Sequence, residues 1–195
     1  MAPETESLDV LTIGEMVVDF ISVEKTDTLS NASTFEWHLG GSPANVAKLG
    51  GRSAIITKLG SDYFGEYAED QLQHHGVNTE AVSRTNEAST TNAFVTRTVS
   101  IPEFQVNRGA DALHIAVRQV DEEIISRARI IHTSAFALSK DPQRLAVRRA
   151  TRLGSRLDFA HEVASLKLRV EGHVERMIDR ENLYAGLKSA GQQAV

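Results

Sequence analysis

An α/β fold is predicted: a parallel sheet flanked by helices, with a small second sheet beside it. Three observations carry this. Apolar runs of strand length (Leu8 to Ile13, Ala54 to Leu59, Arg129 to Ser134) alternate with helical segments, the rhythm of a parallel sheet. The stretches near 16–39 and 91–107 break that rhythm, and Phe35, Trp37 and Leu39 alternate with Glu36 and His38 in the period of a strand with one covered face. Finally, 195 residues with 41% hydrophobic and 24% charged content have the composition of an ordinary globular domain. A domain of that size buries roughly 70% of its unfolded surface.

Leu8 to Ile13 is the first expected strand, ended by Gly14, and the β-branched run Met16 to Val23 continues as strand. Glu24 to Ser33 is a polar loop before the alternating strand at 35–39. Pro43 to Leu49 is a short helix, since proline suits the first turn. Ala54 to Leu59 is the next core strand. Asp62 to His75 is a helix with Phe64, Ala68 and Leu72 on one stripe and Gly76 as its stop. Thr91 to Ser100 and Glu103 to Asn107 are strands around Ile101-Pro102. Asp121 to Ala128 is a short helix and Arg129 to Ser134 a strand. Asp141-Pro142 opens another helix in cap-then-proline order, and Arg156 to Phe159 is a further core strand. From His161 the spacing of Leu166, Val170, Val174 and Met177 predicts one or two amphipathic helices over 161–190.

The formal charge of −5 argues against a general nucleic-acid binder, which would carry a basic face. There is no cysteine, so thiolate and disulfide chemistry are absent. The opening Met1-Ala2-Pro3-Glu4-Thr5-Glu6 is unlike a signal peptide, and no apolar run reaches the length of a membrane span. A cytoplasmic protein without membrane or nucleic-acid partners is expected.

The segment Gly40-Gly41-Ser42-Pro43-Ala44-Asn45 carries the most chemistry. Adjacent glycines let the backbone bend and approach a ligand with no Cβ in the way. Asn45 follows with an amide that donates and accepts. Strand, glycine pair, helix start and amide together suit a polyol.

Gly40 to Ala47, followed by Lys58-Leu59-Gly60-Ser61-Asp62-Tyr63-Phe64-Gly65, resembles the N-terminal signature of ribokinase-like (PfkB) carbohydrate kinases. Val10 to Asp19 and Arg127 to Ser134 resemble the first and a later core strand of that family, and the resemblance covers about residues 8–159. It implies a ribokinase-like sheet with a small β lid (strands near 16–39 and 91–107) and ATP-dependent phosphorylation of a sugar hydroxyl, with Mg²⁺. It implies that Asp19 holds sugar hydroxyls, that Gly40 and Gly41 admit the sugar to the backbone, and that Asn45 contacts another hydroxyl. An ionised carboxylate only accepts hydrogen bonds, so vicinal hydroxyls can donate to it together. Arg108 resembles an arginine near the lid of members acting on fructose or keto-sugar acids, and its fork suits a substrate carboxylate; Arg97 is a weaker candidate for the same task.

The chain departs from that pattern in three places. The helix after the glycine pair is about one turn shorter: Pro43 to Leu49 spans roughly 10 Å against about 20 Å for a six-residue strand. Counted from Leu39 to Ser53, the crossover barely meets the minimum of roughly 10–12 residues. Near Asp158, in Ser155 to Phe159, the usual Asn-x-Arg is missing. The family's C-terminal Gly-Ala-Gly-Asp loop, which offers N–H groups to the phosphate and an Asp to the sugar hydroxyl, does not occur, and no Walker-type loop replaces it. The expectation is a single incomplete domain over 1–195, truncated at its C-terminus, with a divergent helical tail over 161–195 and no catalytic residue assigned. The alternatives are a non-catalytic sugar-binding remnant and an interaction module, a homodimer joined through the lid strands.

Other constellations carry less. His161-Glu162-Val163-Ala164-Ser165 lacks the second histidine of a zinc-protease HExxH motif. His74 and His75 read as exposed residues at a helix end, where positive charge is favoured, and His132 as a core histidine within an apolar strand.

Overall fold

The computed structural model describes residues 7–49, 51–113 and 119–153. The strand expected at 156–159, Asp158 and the helices expected over 161–190 lie outside them. Among the described residues the sequence folds into two four-stranded sheets. The first has the order β5-β4-β1-β8, all parallel, from β1 (Val10–Ile13), β4 (Ser53–Gly60), β5 (Val82–Thr85) and β8 (Ile131–Thr133). The second has the order β3-β2-β6-β7, from β2 (Val17–Lys25), β3 (Phe35–Gly40), β6 (Asn92–Arg97) and β7 (Phe104–Asn107). It is mixed: β2 runs antiparallel to β3 and parallel to β6, and β7 is antiparallel to β6. Among the described residues there are four α-helices: α1 (Ser42–Leu49), α2 (Tyr63–His74) and α3 (Gln119–Arg127) link strands, and α4 (Gln143–Leu153) follows β8.

The parallel sheet is covered on both faces, which is why its strands read as continuous apolar runs rather than alternations. Leu11, Ile13, Ala54 and Ile56 pack with Ile124 and Ile125 of α3 and with Val147 and Ala150 of α4. Ile55 and Leu59 face the other way, against Ala44 and Ala47 of α1 and Ala68 and Leu72 of α2. Asp62 caps α2, its carboxylate accepting from Gly65 N at 2.8 Å, and such caps contribute about 1 kcal/mol.

The crossover into β4 is longer than the count from Leu39 to Ser53 implied. β3 belongs to the second sheet, and β4 pairs in parallel with β1, so the crossover to β4 does not start at Leu39. It starts at the end of β1 and contains β2, β3 and α1, with no shortage of chain. Nor does α1 have to cover β4 alone. Its eight residues, about 12 Å long, cover one part and α2 covers the rest, leaving Ile55 and Leu59 fully buried.

The break expected at Gly14 is a change of sheet: β1 lies in the parallel sheet, and β2 lies in the second sheet, as expected for 16–39. Two other details differ. β5 is a strand that its sequence Val-Ser-Arg-Thr does not announce; its pairing with β4 supplies what an apolar pattern would. α4 starts at Gln143, one residue after Pro142, and the Asp141 carboxylate accepts from the Arg144 side chain at 2.9 Å.

An aromatic cluster fastens the second sheet to α2. Phe20 stacks on Phe94 with centroids 4.8 Å apart and meets the edges of Trp37 and Phe64 at 5.5 and 5.3 Å. Trp37 packs edge-on against Tyr67, whose hydroxyl donates to Trp37 O at 3.2 Å. Each such ring pair contributes about 0.5–1.5 kcal/mol beyond area burial. The period-2 pattern at 35–39 thus has its covered face here, and the opposite face of β2 and β3 is left for other work.

Candidate functional site

Ligands of open parallel sheets bind beyond the carboxyl ends of the strands. At that end of β1 the chain crosses between the sheets twice, once through Gly14-Glu15-Met16 into β2 and once back through Gly40-Gly41 into α1. The two crossings touch. Gly41 has φ +91°, and a Cβ there would lie 2.9 Å from the Glu15 carbonyl oxygen. A side chain at 41 would meet both a strained backbone and a wall of main chain.

Gly40 is constrained differently. It pairs with Val17 in the β2–β3 ladder, and Asp19, two residues along β2, shares its face. A Cβ on Gly40 would collide with the Asp19 carboxylate. The carboxylate therefore lies across the bare Cα of Gly40. Asn45 stands one turn into α1, its N–H donating to Gly41 O at 3.0 Å, and it is partly exposed. Asp19, Gly40, Gly41 and the first turn of α1 thus come together at one crossing.

Arg108, just after β7, is 16% exposed and heavily engaged. Its Nε donates to Asp111 at 3.3 Å, Nη1 to Ser139 Oγ at 2.9 Å, and Nη2 to Phe136 O at 3.3 Å and Gln143 Oε1 at 2.5 Å. Its guanidinium also lies 4.2 Å from the Phe136 ring centroid. It reaches the Asp19 neighbourhood through others: Asp111 accepts from Thr91 Oγ1, and Thr91 O accepts from Val18 N at 3.0 Å.

Sequence reasoning missed two buried polar residues around this crossing, Glu15 and Asp111. Glu15 is 4% exposed and accepts from Ser134 Oγ at 2.5 Å. Burial pushes its carboxyl up, against the lowering effect of the Ser134 hydroxyl. Asp111 is fully buried and is also pushed up by burial, although Thr91 and Arg108 oppose this. Ser42 Oγ lies 3.3 Å from His132 Nε2, and burial pushes His132 down to about 4. The reading of His132 as a core residue holds, with no exposure at all. Glu15 had one available signal, a carboxylate interrupting the apolar run Val10 to Val18 just after a strand-ending glycine. His75 sits at the end of α2 as expected, its Nδ1 2.7 Å from Gln71 O.

Chemically, the crossing offers a carboxylate acceptor, bare glycine backbone and the start of a helix, a set suited to hydroxyl groups. Among the described residues, no group of three or more His, Cys, Asp or Glu could hold a metal ion, and no helix is long and apolar enough to cross a membrane.

The family model described as pfkB family carbohydrate kinase matches residues 7–159. A 5-dehydro-2-deoxygluconokinase of Clostridium beijerinckii is 31% identical over 160 residues, 78% of this chain and 47% of that protein. The structure of Halothermothrix orenii fructokinase superposes with a TM-score of 0.68 at 34% identity, over 76% of this chain and 54% of the other. An uncharacterized sugar kinase from Pyrococcus horikoshii, in complex with ATP, gives 0.71 at 29% identity, over 87% and 57%. The chain spans about half the length of the curated relatives it matches.

Proposed function

This chain belongs to the pfkB family of carbohydrate kinases, and from that premise we propose that Asp19, Gly40, Gly41 and Asn45 hold a sugar by its hydroxyls. The observation that carries the reading is the Asp19 carboxylate lying over the Cα of Gly40. Asp19 accepts from two hydroxyls, the glycine pair lets the ring approach the main chain, and Asn45 reads a further hydroxyl.

The substrate class proposed is a fructose-like sugar or a keto-deoxy sugar acid. Relatives named for both kinds of activity support it. In this reading Arg108 uses its remaining N–H for an acidic substrate while its other donors hold Asp111, Ser139, Phe136 and Gln143.

ATP and Mg²⁺ are implied by the family. Among the described residues no group of three or more His, Cys, Asp or Glu comes together, and the sequence holds neither a Gly-Ala-Gly-Asp motif nor a Walker loop. No step of phosphoryl transfer is therefore assigned to these residues. A positioned general base contributes about 10²–10⁴ in rate, and phosphoryl transfer rests on such positioning and electrostatics. Our reading is that these 195 residues alone bind sugar and turn it over poorly or not at all. A coupled ADP-release assay across fructose, ribose and a keto-deoxy sugar acid tests this. Robust turnover abolished by Asp19→Ala would overturn it.

A homodimer through the second sheet is also proposed. It is favoured by β7, exposed along its whole length, with Phe104 and Val106 open to solvent. Light scattering checks it, and a clean monomer at high concentration would remove it.

A further inference from the structure

Asp19 has a neighbour on its own face that no motif singles out. In the β2–β3 ladder the residue directly opposite Asp19 is His38. Opposed residues share a face and keep their Cβ atoms about 4.5–5.5 Å apart. The other face of these strands, bearing Phe20, Trp37 and Leu39, is taken up by the packing against α2. His38 belongs instead to the face of Asp19 and Gly40, and its side chain is 45% exposed.

The ring has a carboxylate neighbour. His38 Nε2 lies 3.7 Å from Glu36 Oε2, and that same oxygen accepts from Arg97 Nη2 at 3.0 Å. Arg97 is itself tied down, its backbone N–H donating to Ser22 Oγ at 2.8 Å. Across β3, β2 and β6 the second sheet thus presents a polar strip, Asp19, His38, Glu36 and Arg97, bounded by Ala93 and Val95 of β6.

The chemistry of a polyol site gives this strip a task. A carboxylate only accepts, whereas each sugar hydroxyl both donates and accepts. Asp19 therefore serves only the hydrogens of those hydroxyls, and their oxygens call for a donor beside it. Imidazole supplies either role on a short side chain. Nε2 lies on the Glu36 side of the ring, 3.7 Å from its Oε2, and the ligand contact is assigned to Nδ1.

We propose that His38 is a second sugar-contacting residue on the sheet, hydrogen-bonding a hydroxyl next to those held by Asp19, with Glu36 and Arg97 as positioning residues that orient its ring. This rests on the reading of Asp19 as a hydroxyl ligand.

The test uses the full chain and its single tryptophan, Trp37, adjacent to His38 in β3. Binding of D-fructose and of a keto-deoxy sugar acid is titrated by Trp37 fluorescence and by calorimetry for wild type, His38→Ala, His38→Gln, Glu36→Gln and Asp19→Asn, with thermal melting as a fold control. The expected result is a Kd raised about tenfold by His38→Ala, the scale of one lost hydrogen bond. His38→Gln, which keeps a donor and an acceptor, should restore most of the affinity. Glu36→Gln should weaken binding less than His38→Ala, and all melting points should stay close to wild type. If His38→Ala binds as wild type while Asp19→Asn loses binding, the proposal for His38 fails and the Asp19 reading stands. If wild type binds neither sugar, or Asp19→Asn binds unchanged, both fail. If His38→Gln is as poor as His38→Ala, the ring acts by shape and the hydrogen-bonding role is overturned.

Discussion

The carboxylate of Asp19 occupies the space that a side chain on Gly40 would need. Gly40→Ala therefore acts on the orientation of Asp19. The atoms in the way are the far end of a side chain that can rotate, so the backbone is spared. The expected outcome is a sugar affinity reduced at least tenfold with stability changed by less than about 1 kcal/mol. A double-mutant cycle with Asp19→Ala checks this: the second substitution should add little to the loss of binding.

Gly41 predicts the opposite division. Its φ of +91° and the Glu15 carbonyl 2.9 Å from a would-be Cβ leave no rotamer to relieve the strain. Gly41→Ala should cost about 1–3 kcal/mol of stability, read as a lowered midpoint in urea with an unchanged slope.

Arg108 pairs with the fully buried Asp111 and supplies it with a cation. Arg108→Ala leaves that carboxyl without its cation and should cost about 3–5 kcal/mol. Arg108→Lys should rescue little, because a single ammonium cannot reach Asp111, Ser139, Phe136 O and Gln143 at once. Denaturant melts of both variants check this.

His132 gives a pH dependence. Burial holds its folded pKa at about 4, below the ordinary 6.5, so between these values the unfolded chain binds the extra proton. Its contribution is fully present above about pH 6.5 and is lost as pH falls towards 4, by about 3 kcal/mol at most. Glu15 and Asp111, both raised, act with the opposite sign over their own range. Comparing melting points of wild type and His132→Gln from pH 7 to pH 4 isolates the histidine: the gap between them should narrow as the pH is lowered.

Much of this molecule was legible in its sequence because period and punctuation reported real burial. Phe35, Trp37 and Leu39 alternated because one face of β3 packs on Phe20 and Phe64. Phe64, Ala68 and Leu72 fell at helical spacing because α2 lies on the sheet. Gly14, interrupting the apolar letters of Val10 to Val23, marked the change of sheet, although both sheets bury most of that run. β5 was silent because hydrogen bonds to β4, rather than apolar side chains, define it. The glycine pair pointed to the crossing. Nothing local revealed that Glu15 would reach Ser134, 119 positions away, or that Arg108 would donate to Gln143 and Phe136. Such contacts depend on the assembled sheet.

The most direct test of the central claim is calorimetric titration of wild type and Asp19→Asn with D-fructose and a keto-deoxy sugar acid, without nucleotide. The account predicts saturable one-to-one binding of at least one of them by wild type, lost or weakened at least tenfold in Asp19→Asn, whose melting point stays near wild type. Binding that survives Asp19→Asn unchanged would contradict it, as would a folded wild type that binds neither sugar.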